Sequence, residues 1–260
     1  MRRLLVIGIG AGDPDHVTVQ AIKAMNQVDV FFVLDKGAAK DDLVRVRRQI
    51  LDEHVRRPHR VVQAQDPPRD RSPADYRAAV DDWHERRAEL YERMIREELD
   101  DGQCGAFLVW GDPSLYDSTL RIVERVLARG AVELQYEVVP GITAVQALTA
   151  RHRIVLNRVG EPVTITTGRR LAGLPPGQDD VVVMLDGEEA FRTVEGENVD
   201  IWWGAYLGTP DEVLRSGRLS DVREEISRTR AEARARKGWI MDTYLLRRRS
   251  SRTDPGRNSS

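Results

Sequence analysis

The sequence predicts an α/β fold built as two domains: an N-terminal α/β domain with a mainly parallel sheet over residues 1–140 and a C-terminal α/β domain with a mixed sheet over 141–247. A disordered tail is expected at 248–260. Three observations carry this reading. Short apolar runs alternate with longer amphipathic stretches through the first 150 residues, as parallel strands joined by crossover helices require. Several of those runs end in turns rich in glycine and proline. After about residue 152 the texture changes, and shorter apolar runs are separated by loops and charged stretches.

Composition bounds the possibilities. The chain has 260 residues, 41% hydrophobic and 32% charged, with a formal net charge of −2, enough apolar material for sizeable cores and no bulk positive field for nucleic acid. No stretch approaches the roughly 18 apolar residues of a membrane span. The start, Met1-Arg2-Arg3-Leu4-Leu5-Val6-Ile7-Gly8, becomes glycine-rich too soon for a signal peptide, so a cytoplasmic protein is expected. A single cysteine, Cys104, rules out an internal disulfide framework and a cysteine-built zinc site. The five histidines have no i, i+4 partner and no glutamate at metal spacing, and no metal is expected.

Taken in order, Leu4–Ile7 reads as the first strand, followed by a glycine turn and a helix over about residues 16–27. Val28–Leu34 is the second strand, ending in Asp35, and a third lies near Arg60–Val62. Ser72-Pro73-Ala74-Asp75 then offers an N-cap hydroxyl, a proline at N1 and a carboxylate at N3. Tyr76, Ala79, Val80, Trp83, Leu90, Tyr91, Met94, Ile95 and Leu99 recur at three- and four-residue steps, giving one long helix with an apolar stripe for the core. Ala106–Trp110 is the fourth strand and Val132–Val139 the fifth. In the second domain the strands are Val163–Thr166, Val181–Met184, Ile201–Trp203 and Gly238–Leu246; Leu171–Asp180 is a loop and Ser220–Lys237 a solvated helix.

The turns are more informative than the elements. Gly8-Ile9-Gly10-Ala11-Gly12-Asp13-Pro14 follows a strand and precedes a helix, the setting of a dinucleotide-binding loop. Its sixth position, however, holds Asp13 where that fingerprint needs glycine or alanine, and a carboxylate there repels phosphate. The loop suits a ligand without phosphates. A second Gly-Asp-Pro occurs in Trp110-Gly111-Asp112-Pro113-Ser114-Leu115-Tyr116, and the fifth strand closes in Pro140-Gly141-Ile142-Thr143-Ala144. All three turns lie past the carboxyl ends of strands, where open parallel sheets bind ligands.

These turns, in this order and together with Val182-Val183-Met184, resemble those of the tetrapyrrole methylases, S-adenosylmethionine-dependent enzymes of corrin and siroheme synthesis. The resemblance runs from about residue 3 to 246. Phe31–Gly37, Asp66–Arg71 and Phe107–Thr119 are similar to the branch that methylates C1 of precorrin-5 and releases acetate. The resemblance implies two α/β domains with the donor in the cleft between them, a precorrin macrocycle as substrate and a homodimer. It also implies that Pro14, Trp110, Gly111, Asp112, Leu115, Thr143, Ala144, Met184 and Leu207 line S-adenosylmethionine. Trp110 departs from the family pattern, which commonly has glycine there.

The candidate catalytic residues are Asp35 and Tyr116. In related uroporphyrinogen methylases the aspartate matching Asp35 has been proposed as catalytic; the alternative is a helix N-cap or a pair with Lys36. Tyr116, just past the second Gly-Asp-Pro, offers a ring face and a hydroxyl to the substrate. Arg69, Arg71 and Arg121 are candidates for the substrate's carboxylates. Three rivals stay open: a C11, C17 or C20 corrin methylase, an NAD-dependent oxidoreductase with Asp29 or Asp35 on the ribose, and a ligand-sensing module without turnover.

Overall fold

The computed structural model describes residues 1–35, 41–68 and 75–249. It divides into two compact units, Met1–Ala144 and Val145–Ser260. Lys36, Gly37, Arg69, Asp70, Arg71, Ser72 and Pro73, all invoked above, lie outside the described residues.

The first unit contains strands β1 (Arg2–Gly8), β2 (Val30–Asp35), β3 (Arg60–Gln65), β4 (Cys104–Val109) and β5 (Leu134–Val139) in one sheet of order β3-β2-β4-β1-β5. Every pairing is parallel. The apolar runs of β1 and β4 occupy the interior of this sheet, where both faces are covered, which is why they do not alternate. The edge strands β3 and β5 carry Arg60, Gln63, Gln65, Gln135 and Glu137, polar side chains that blunt an exposed edge.

Helices α1 (Val19–Met25), α2 (Asp41–His54), α3 (Tyr76–Glu98) and α4 (Thr119–Arg129) cross between these strands. Residues of α1 and α2 join Leu5, Ile7, Phe31 and Leu108 in one core; those of α3 and α4 join Leu4, Val6, Phe32 and Phe107 in another, on the opposite face. The expected helical stripe is only partly core. Leu90, Tyr91, Met94, Ile95 and Leu99 are buried, and Tyr91 stacks on Phe107 with ring centroids 4.1 Å apart, whereas Ala79, Val80 and Trp83 are half-buried. The helix begins later than its sequence suggests. Asp75 caps it, accepting from the Arg77 and Ala78 amides.

The second unit follows α5 (Ala144–His152), which spans the division. Its strands β6 (Thr164–Thr167), β7 (Asp180–Met184), β8 (Val199–Ala205), β9 (Val213–Arg218) and β10 (Asp242–Arg248) run in the order β6-β7-β10-β8-β9. Only β6 and β7 are parallel, so the sheet is mixed. The remaining helices are α6 (Gly168–Leu171) and α7 (Leu219–Lys237). The strand β9, Val-Leu-Arg-Ser-Gly-Arg, has neither an apolar run nor clean alternation, so local pattern does not announce it. Arg248, assigned to the tail, completes β10, and Arg249 pairs with Asp200; Arg247 reaches the buried Asp180 at 2.5 Å. No helix among the described residues is long and apolar enough to cross a membrane.

Candidate functional site at the strand ends

The three turns meet at the carboxyl end of the parallel sheet. Past β1, the Ile9 amide donates to Val109 O (2.9 Å), and Gly10 and Gly111 exchange backbone hydrogen bonds of 3.3 and 2.8 Å. This isolated bridge ties the turn after β1 to the turn after β4. The turn after β5 closes on both. A Cβ placed on Gly8 would lie 2.6 Å from Gly141 N and 2.8 Å from Gly111 O, and one on Gly141 would collide with Gly111 O and with Gly8 backbone. Glycine is required at Gly8 and Gly141 because backbone meets backbone there.

Gly111 is different. Its φ is +71°, and a Cβ there would meet nothing closer than the Thr143 Cα at 3.8 Å. The missing side chain therefore leaves open space beside Thr143, bounded by backbone. Asp112 holds this arrangement together. One carboxylate oxygen accepts from the Ser114 amide (2.8 Å) and hydroxyl, and the other accepts from the Gly141 amide at 2.8 Å. Burial pushes this carboxyl up, but the Ser114 hydroxyl and the Gly141 and Ser114 amides outweigh it and hold the acid below its ordinary range. Asp112 is thus a stitch between two turns, a role the sequence motif did not disclose.

Asp13 also has a local task. Its side chain accepts from the Asp15 amide at 2.9 Å and caps a 3-10 turn over Pro14–His16. The helix expected from residue 16 begins at Val19, capped by Thr18. The amides of α1 are therefore set back from the glycine turn, which removes the helix N-terminus that a pyrophosphate site uses. Pro14, Trp110, Leu115, Thr143 and Ala144 are all half-buried around these turns.

Asp35 ends β2, half-buried. Its carboxylate accepts from Gln63 Nε2 at 3.2 Å, and its carbonyl from the Asp66 amide at 2.8 Å. The helix α2 begins only at Asp41, so Asp35 is not its N-cap. Tyr116 is 43% exposed with φ +52°, and burial raises its hydroxyl's pKa. Arg121 is exposed on α4. No group of three or more His, Cys, Asp or Glu is arranged to hold a metal among the described residues.

In the second unit, Met184 is half-buried at the end of β7, and Leu207 follows β8. The strand β10 lies between β7 and β8 and antiparallel to both, so their carboxyl ends share one edge of that sheet. Leu207 is 4% exposed, and a Cβ on Gly204 would come within 2.7 Å of its Cδ2, so its side chain is committed to packing. Glu212 fixes the turn by accepting from the Gly208 amide (2.9 Å) and pairing with Arg151.

Strain marks the same places. Among the described residues, five non-glycines have left-handed φ: Tyr116, Arg153, Leu185, Glu189 and Tyr206. Tyr116, Leu185 and Tyr206 directly adjoin Leu115, Met184 and Leu207, three residues singled out from the sequence. Such conformations cost about 1–3 kcal/mol each and persist where surrounding structure over-determines them.

Comparison with known proteins gives a consistent result. Residues 3–223 match the family model described as Tetrapyrrole (Corrin/Porphyrin) Methylases. A protein from Sinorhizobium sp named precorrin-6A synthase [deacetylating] is 55% identical over 250 residues, covering 95% of this chain and 96% of that one. The crystal structure of a cobalamin synthesis related protein (CobF) from Corynebacterium diphtheriae aligns with a TM-score of 0.83 at 42% identity, covering 96% of this chain and all of the other. A uroporphyrin-III C-methyl transferase from Thermus thermophilus, complexed with S-adenyl homocysteine, shares the fold at a TM-score of 0.58 and 19% identity, covering 94% of this chain and 96% of that one.

Proposed function

The chain belongs to the tetrapyrrole (corrin/porphyrin) methylases, and on that premise we propose that it methylates C1 of precorrin-5 with loss of acetate, giving precorrin-6A in cobalamin synthesis. The single observation that carries this reading is the near full-length identity to the Sinorhizobium precorrin-6A synthase. Membership of the family sets aside the NAD-dependent alternative.

The strand-end turns fit the methyl donor S-adenosylmethionine. The donor brings adenosine and a sulfonium but no phosphate, matching a site with open space over Gly111 and with the amides of α1 set back from the first glycine turn. When bound, it supplies an electrophilic methyl group on a good leaving group. In this reading Pro14, Trp110, Gly111, Leu115, Thr143 and Ala144 line it, Asp112 by holding two of its turns in register. Met184 and Leu207 are the residues that the family resemblance adds to the donor's lining, Leu207 through its backbone.

With so reactive a donor, the protein's main contribution is position, holding the ring carbon in line with the methyl group. Asp35 is the acid–base group, its carboxylate oriented by Gln63. Tyr116 presents its ring and hydroxyl to the macrocycle. The enzyme works as a cytoplasmic homodimer.

The test is product analysis. Given precorrin-5 and S-adenosylmethionine, one S-adenosylhomocysteine and one acetate are expected per macrocycle consumed. The acetate discriminates against C11, C17 and C20 methylation, and the turnover discriminates against a sensor. Methyl transfer to an earlier precorrin with no acetate from precorrin-5 would leave the family standing and remove this reaction.

A further inference from the structure

The parallel sheet has a second opening. After β2 the chain turns to α2 on one face of the sheet, and after β4 to α4 on the other. These two strands are neighbours, so their connections diverge and open a crevice beyond their carboxyl ends, the usual place for a ligand in this architecture. It lies on the opposite side of β4 from the Gly10–Gly111 bridge. A cavity of about 50 Å³ occupies it, lined by Arg47, Arg87, Tyr91, Asp117, Thr119 and Leu34, the last directly preceding Asp35.

The charges around this cavity are unequally compensated. Arg87 is 5% exposed and its Nε lies 2.8 Å from an oxygen of the equally enclosed Asp66, while Nη1 donates to Ser118 Oγ at 2.9 Å. That cation has its counter-ion. Asp117 accepts from the Thr119 amide at 2.6 Å, at the start of α4, where the unpaired helix amides favour a negative charge. That anion is compensated too.

Arg47 is the exception. It projects from α2, and its Nε donates to Leu108 O (3.0 Å) and its Nη1 to Leu43 O (2.7 Å). Both partners are neutral carbonyls. Among the described residues Arg47 makes no ion pair, and its Nη2 makes no hydrogen bond. Burial lowers its pKa, and the attraction of Asp117 only partly opposes this. A half-buried guanidinium with no carboxylate in contact keeps an edge to offer, and its planar fork suits a carboxylate better than any other common anion short of phosphate. The cavity's size selects further. About 50 Å³ holds a few waters or one short carboxylate-bearing arm, and no ring.

We propose that this cavity receives one carboxylate arm of the substrate macrocycle, with Arg47 as its charge partner and the Tyr91–Thr119 wall beside it. The inference rests on the reading that the substrate is a carboxylate-rich macrocycle. It gives the substrate a fixed point next to Asp35, separate from the donor turns.

Two probes test it without turnover: a porphyrin octacarboxylic acid and its octamethyl ester, both followed by fluorescence. The wild-type chain should prefer the acid, and Arg47→Gln should weaken acid binding by about tenfold or more while leaving ester binding and S-adenosylhomocysteine binding unchanged. Arg47→Lys, which keeps the cation and loses the fork, should fall between them and carries the test if Arg47→Gln does not fold. With precorrin-5, both variants should raise KM and leave kcat at saturation near wild type. Equal binding of the acid by wild type and both variants would overturn the proposal, as would equal losses for acid and ester. If Arg47 proves indifferent while acetate is still released from precorrin-5, this subsite falls and the proposed reaction stands. If the acid needs Arg47 but no acetate appears, the reverse holds.

Discussion

Two glycines that look equivalent in sequence should behave oppositely when given a methyl group. At Gly111 the φ of +71° places an alanine in the left-handed region, costing about 1–2 kcal/mol. Restriction of the unfolded chain returns about 0.4–1 kcal/mol of that. The nearest atom to the new methyl is the Thr143 Cα at 3.8 Å, so no packing is disturbed. Gly111→Ala should therefore lose about 1 kcal/mol, a few degrees in melting temperature for a chain of this size. The methyl projects into the space assigned to the donor, and binding of S-adenosylhomocysteine should fall by about tenfold or more, equivalent to about 1.4 kcal/mol.

At Gly141 the methyl meets backbone on two sides, Gly111 O and the Gly8 carbonyl carbon at 2.8 Å. Relieving that overlap costs about 1–3 kcal/mol, and moving the Gly141 amide away from Asp112 costs about 1.5–3 kcal/mol more. Gly141→Ala should lower stability by about 3–5 kcal/mol and its melting temperature by about 10 °C. Thermal melting by circular dichroism and calorimetric titration with S-adenosylhomocysteine separate the two effects. The reasoning fails if Gly111→Ala binds the ligand like wild type, or if the two variants melt together.

Asp35→Asn should bind S-adenosylhomocysteine normally and lose most turnover in a stopped acetate-release assay; wild-type rates would make Asp35 structural. Asp112→Asn should cost about 1.5–3 kcal/mol in urea denaturation at neutral pH. Because the Asp112 carboxyl is held below its ordinary range, its contribution is complete above the unfolded value near pH 4 and disappears as pH falls through the lower folded value. The stability gap between wild type and Asp112→Asn should accordingly narrow on acidification, and a gap independent of pH would contradict this. In the second unit, Arg230 (3% exposed) pairs with Asp242 at 3.0 Å, and burial raises the Asp242 pKa despite that partner. Arg230→Ala should leave a buried carboxylate uncompensated and cost about 3–5 kcal/mol, read by denaturation with proton uptake on folding; a loss below about 1 kcal/mol would show the pair to be dispensable.

The strands of the first unit and the positions of the turns are legible in the residues alone. Each of these is local: an apolar run fixes a strand, and glycine and proline fix where it stops. The repeated Gly-Asp-Pro could be read as a ligand site for the same reason, since its conformational demands lie within a few residues. What Asp112 does could not be read, because its partner Gly141 is 29 residues away and is brought to 2.8 Å only by the β1–β4 and β1–β5 pairings. The same holds for Arg247, the last residue of the expected domain, whose counter-ion Asp180 lies 67 residues earlier and is brought to it by β10. It holds for Arg47 as well, one arginine among many in the sequence and distinguished only by what surrounds it. Charge reveals its purpose through compensation, and compensation is settled by neighbours in space. Backbone conformation is written residue by residue, but the environment of a charged group is decided by how sheets and helices pack.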